Sequence, residues 1–223
     1  MPLSESILSN TGWNKFSLKF ENLRLEAHYK THTFPRLLSQ SRLALILGAL
    51  MYEMYGVLDH LLVSKNILNR IEFIRISTTF AIMVVFGLTF TKYYRKYNQL
   101  LLISILLFAG IGLLWKMALI DQRIFSYYFS GMLLLLFWIH AFYILNFINA
   151  FYCTFALMVI TTVFFFTAFN FNYSETICYL FILFSAFGVS MFSSYISEKA
   201  DRSLFLREKE LDRTVYTKGE RNS

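Results

Sequence analysis

Ionisable side chains set in apolar surroundings are the residues of this 223-residue sequence best placed to do chemistry, because a charge in hydrocarbon persists only with a partner or a task. Counting along the apolar runs orders them by depth. Asp59 lies about a turn before the end of the first run, Glu72 and Arg75 at the start of the second, and Lys116 and Asp121 at the end of the third. If successive runs are antiparallel, these residues share one tier, and Asp59 with Arg75 is the preferred ion pair. A second tier, near the middle of the runs, holds Glu53, Trp138 and His140. There Glu53 needs a donor or a bound proton, since burial disfavours a bare carboxylate. Depth permits a Glu53 to His140 hydrogen bond; it equally permits Glu53 to meet a hydroxyl such as that of Tyr143, with His140 on a backbone carbonyl. The first tier also has two readings. Its charges either pin helix ends and reach the headgroups or form the polar lining of an outward-facing ligand pocket.

Catalytic patterns are scarce. His28 and His32 stand four apart on one helical face, a spacing that suits zinc, but no third ligand with a supporting motif follows. Cys153 and Cys178 fall inside apolar runs with no CxxC and no nearby histidine, and read as small hydrophobes. HExxH, GxSxG and phosphate-binding glycine loops are missing, as are an arginine-repeat helix and a midplane proline, since Pro2 and Pro35 both precede the first run. No catalytic residue, no metal site and no cofactor is expected.

The elements that must position these residues follow from composition. The chain is 57% hydrophobic with a mean hydropathy of +0.50, against roughly 45–50% apolar content in soluble domains. Six runs have the length of one bilayer crossing, at 43–63, 71–91, 100–120, 128–147, 151–169 and 177–196. Their connections are short, so consecutive crossings are antiparallel neighbours. Sixteen of the 21 Lys and Arg residues fall on the side that holds both termini, which places both ends in the cytoplasm. The expected localisation is the inner (cytoplasmic) membrane, multi-pass. The net charge of +7 sits on the flanks, and with no folded basic face a nucleic-acid partner is not expected. The first 30 residues lack an apolar core of the signal-peptide kind.

Three parts are therefore expected: a cytoplasmic amphipathic segment over 1–42, a transmembrane domain over 43–196, and a helical transducer with a polar tail over 197–223. In the first, Phe16, Phe20, Leu23 and Ala27 recur at helical spacing, predicting a helix along the inner leaflet. In the last, Ala200, Leu204, Leu211 and Val215 make a short seam on a helical stalk. Small residues at Gly48 and Gly56 on the first helix, and at Ala186, Ser190 and Ser194 on the sixth, allow close helix approach, within the chain or in a dimer.

Taken in order, Leu25-Glu26, Tyr29, Arg36, Arg42, Gly48, Tyr52, Gly56-Val57-Leu58-Asp59, Ile71 and Ile74-Arg75-Ile76 resemble the opening of the six-helix membrane domain of bacterial class III adenylate cyclases. Glu198, Arg202, Phe205 and Leu206 are similar to the transducer that follows that domain. The resemblance implies a homodimer, a lipid or small apolar ligand, and a cytoplasmic cyclase-type output domain, in cis or in trans. Related sensors precede diguanylate cyclases and histidine kinases. A cyclase catalytic domain would lie beyond residue 223, so no cyclase active-site residue is carried over. The expected fold is an all-α integral membrane bundle of six helices with both termini inside, an amphipathic N-terminal helix and a C-terminal signalling helix. The expected function is a sensor that passes a ligand-driven change through its last helix; a stand-alone membrane interaction protein and a small transporter or channel using Glu53 and His140 are the alternatives.

Overall fold

The computed structural model describes residues 12–142, 145–169 and 171–221, with side chains through Asp212. Six α-helices run through them: α1 (Leu23–Leu62), α2 (Lys65–Leu88), α3 (Lys92–Leu119), α4 (Phe125–Ala141), α5 (Phe147–Thr167) and α6 (Tyr173–Arg221), with a 3₁₀ turn at Gln122–Ile124 before α4. All six crossings lie on helices long and apolar enough to span a membrane. Among the described residues there is no strand, only an isolated bridge between Trp13 and Phe20.

The N-terminal helix expected from Phe16 does not start there. Asn14 turns the chain instead, its side chain accepting from the Phe16 and Ser17 amides at 2.9 Å each, and Leu18 follows with a left-handed φ of 57°. Leu18 and Phe20 are buried rather than spread on a leaflet. The helix begins after Asn22, whose side chain caps the Arg24 and Leu25 amides. It then continues without a break into the first crossing. At Pro35 the missing N–H leaves the Thr31 carbonyl without its intrahelical donor.

Inside the bundle α3 is central, packed by α2, α4 and α5, while α6 lies against α4 and α5. Leu102, Leu114, Tyr128, Met132, Leu136, Leu157 and Leu183 form its fully buried core. The outer face carries large apolar side chains such as Phe80, Phe181 and Phe192, a surface suited to hydrocarbon. Ala186, Ser190 and Ser194 are buried within the chain, so this small-residue face packs the bundle and is not open to a second copy. Gly48 and Gly56 also serve internal packing. The indole Nε1 of Trp138 would lie 3.7 Å from a Cβ at Gly48, and the Arg75 guanidinium occupies the space beside Gly56. The α1 and α6 helices extend well past the bundle at the same end, called here the stalk end.

Candidate functional site

Asp59 is the centre of a buried polar network toward the end remote from the stalk. Its side chain has no solvent exposure and draws partners from three other helices. Arg75 Nη1 of α2 lies 3.0 Å from Oδ2 and Lys116 Nζ of α3 3.4 Å from the same oxygen. The Tyr128 hydroxyl of α4 donates to Oδ1. Arg75 also stands between two carboxylates, with its Nε 3.3 Å from Glu53 Oε2. Glu53 in turn accepts a hydrogen bond from the Thr79 hydroxyl. Two acids and two bases therefore balance across three helices, with the Tyr128 hydroxyl added from a fourth, which is how a low-dielectric interior accommodates charge.

Several sequence expectations fail here for local reasons. Glu53 and His140 do not bond: the carboxylate is taken by Arg75 and Thr79, and neither ring nitrogen of His140 has a hydrogen-bond partner among the described residues. A transport path built on that pair has no support in this geometry. Tyr143 lies outside the described residues. Glu72 leaves the Asp59 cluster and pairs with His60 Nε2 at 3.1 Å. Asp121 is drawn off by its own backbone, capping the 3₁₀ turn through the Arg123 amide. Tyr128 and Thr79, which the sequence reading missed, complete the network; Tyr128 sits at the same depth as Asp59 and was findable by the same counting.

Next to this network lies an apolar cavity of about 100 Å³. Leu45, Gly48 and Met51 of α1, Ile82 of α2, Leu102 and Ala109 of α3, and Gly131 and Trp138 of α4 line it. Lys116 and Tyr52 bring the only charge and one of two hydroxyls to its wall, with the Lys116 ammonium 5.1 Å from the Tyr52 ring centre. The Tyr52 hydroxyl is buried beside Thr78. Such a pocket, apolar with a few polar groups, is the usual form of a small-ligand site.

At the stalk end a second buried network ties α6 to α1 and α5. Arg202 Nη1 reaches Glu26 Oε2 at 2.7 Å and its Nη2 reaches Glu198 Oε1 at 2.8 Å. The other Glu198 oxygen accepts from the Phe147 amide and so caps α5 from a different helix. Glu26 also accepts from the Phe20 amide at 3.1 Å. The guanidinium lies over the rings of Tyr29 and Phe20, 4.5 and 5.1 Å from their centres. Phe205 packs with Phe20, Leu25 and Tyr29, with Leu206 alongside. Burial alone raises the Glu26 carboxyl, but the Arg202 guanidinium, with the Phe20 amide and Lys30, holds it below the usual carboxylate range. His28 and His32 both face the Phe205 ring, and His32 Nε2 is 3.6 Å from Glu208. Ala200, Leu204 and Leu211 point away from this cluster and are exposed. The side chain of Val215, the last of that seam, lies outside the described residues.

The MASE8 family model matches residues 57–212. The chain belongs to the MASE8 family. This is a family of membrane-associated sensor domains, so the bundle is that of a multi-pass membrane sensor module. No curated protein matches the chain. The MASE8 match takes in Asp59, Arg75, Lys116 and Tyr128 and, at the stalk, Glu198, Arg202 and Phe205. Glu53 and Glu26, the second carboxylate of each network, lie before it.

Proposed function

We propose that this MASE8 module senses a lipid or other apolar ligand in the cavity bounded by α1, α2, α3 and α4, and passes the change through α6 to a cyclic-nucleotide-producing output domain, in cis or in trans. The observation that carries the reading is the cavity's place: its Lys116 wall is shared with the Asp59 network. A ligand can act only through different affinities for two arrangements. Filling the cavity changes how Lys116, and through it Asp59 and Arg75, sit between the helices. Because α4 packs on α6, a shift of α4 reaches the stalk. With both termini cytoplasmic, the cavity lies within the bilayer, open to a ligand that partitions there. The resemblance to the cyclase membrane domain supports a cyclase-type output and a homodimer.

Trp138 provides the readout. In a variant that keeps it alone (Trp13→Phe, Trp115→Phe), a brominated fatty acid at low mole fraction is expected to quench its fluorescence saturably, and Ala109→Leu, which fills the cavity, to remove the saturable part. Quenching that rises only linearly with membrane content rejects the ligand site. For the relay, inserting one residue after Ala200 rotates everything beyond it by about 100°. Regulation that survives the insertion unchanged rejects the relay.

A further inference from the structure

A second cavity, of about 320 Å³, opens at the stalk end between the first half of α1, the first turns of α3 and the start of the stalk part of α6. Its chemistry is opposite to that of the apolar one. Lys30, Arg36, Arg95 and Lys96 line it, with the Asn98 amide, against the carboxylate of Asp201. Four cations face one anion in a concave wall, an arrangement that concentrates positive potential.

The partners of these cations matter. Arg36 Nη2 is held by both Asp201 oxygens at 3.0 Å, and Lys30 is 3.6 Å from Glu26, outside the cavity lining. Arg95 and Lys96 meet no carboxylate among the described residues and lie against aromatic rings instead. Positive charge is thus left over at one mouth of the cavity, and arginine's planar fork matches a phosphate group. Arg36 precedes the apolar run that begins at Leu43, and Arg95 the one that begins at Leu100. At 1.5 Å per residue both lie within about 10 Å of hydrocarbon, at the level of lipid headgroups.

We infer that this cavity binds a phosphate-bearing anion, held by Arg95 and Lys96 and competing with Asp201 for Arg36. The inference stands apart from the apolar ligand site and needs no output domain. Its consequence is mechanical. Arg36 to Asp201 joins α1 to the stalk part of α6, so an anion that takes Arg36 loosens that tie. Phosphate chemistry comes from two sources, an anionic phospholipid headgroup or a soluble phosphate compound, and two arms separate them. In the first, the full chain in dodecyl maltoside is offered phosphatidylglycerol or zwitterionic phosphatidylcholine and the retained lipid is counted by native mass spectrometry. In the second, the same preparation is titrated calorimetrically with inorganic phosphate and pyrophosphate.

Saturable binding of one anion per chain is expected in at least one arm, weakened about tenfold or more by the double variant Arg95→Gln, Lys96→Gln. Asp201→Asn is expected to tighten it about two- to five-fold by removing the competitor. Binding in the first arm alone assigns a headgroup; binding in the second alone assigns a soluble phosphate. All three substitutions lie at the wall of an open cavity, and unchanged thermal unfolding verifies that the variants fold. Three results overturn the inference: no saturable binding in either arm, binding indifferent to the double variant, or an Asp201→Asn chain that binds no more tightly than the parent.

Discussion

Asp59 holds two cations that have few other partners, and its replacement tests how the charge balance is built. Asp59→Asn keeps the shape but leaves Arg75 and Lys116 buried with reduced compensation. Breaking a buried pair from one side costs about 3–5 kcal/mol, so this variant is expected to show the largest loss in an unfolding titration in mixed micelles. Adding Lys116→Met to it is expected to recover part of that loss, because removing both partners leaves less unpaired charge. Glu53→Gln is expected to cost clearly less than Asp59→Asn, since the amide can still accept from Thr79 and Arg75 keeps its pair with Asp59. If Glu53→Gln proves as damaging as Asp59→Asn, the centre of the network has been misplaced. Gly56→Ala probes the same site from the backbone. Its new methyl group would displace the Arg75 guanidinium from Asp59, and its effect is therefore expected to shrink when Asp59 is already Asn.

At the level of elements, α6 is fastened at its exit from the bundle by Glu26 and Glu198 through Arg202, and that fastening is expected to depend on pH. Glu26 is held below its ordinary value in the fold, so the contribution of the clasp is complete above the unfolded carboxyl value of about 4.3. It is lost as pH falls through the lower, folded value. Spin labels on Ala27 and Ser203 are expected to report a fixed distance at neutral pH and a broader distribution under acid, with Glu26→Gln showing the broad form at neutral pH. A distribution indifferent to both assigns the fastening to the Phe205 cluster instead. The helices themselves were legible because apolar runs of crossing length leave little choice of structure, as at α3. The start of α1 was not legible, because helical spacing of Phe16, Phe20 and Leu23 says nothing of Asn14 capturing the backbone first. Arg202 with Glu26 was hidden for another reason: the residues are 176 positions apart, and only the packing of the two extensions brings them together.

For the whole molecule, the same limit of sequence explains where a second copy should bind. Spacing identified two candidate seams on the last helix, but rotation decides between them, and rotation is set by contacts with α4 and α5 that no periodicity shows. The bundle consumes the Ala186, Ser190 and Ser194 face. It leaves Leu204 60% exposed on the side of the stalk opposite Arg202, with Ala200 exposed beside it. An apolar side chain at that position, beyond the bundle and on a charged helix, lacks both lipid and core as a cover; a parallel partner stalk provides one. The proposed homodimer should therefore close through the stalk. In a chain freed of Cys153 and Cys178, Leu204→Cys is expected to give disulfide-linked dimers on mild oxidation in liposomes, whereas Ser190→Cys, buried inside its own bundle, should give none. Crosslinking at both positions to a similar extent would mean random collision, and crosslinking at neither would leave the stalk to pair with a different chain. If Leu204→Cys alone crosslinks, a ligand entering the apolar cavity should change the rate of that crosslinking, which connects the cavity to the stalk in one measurement.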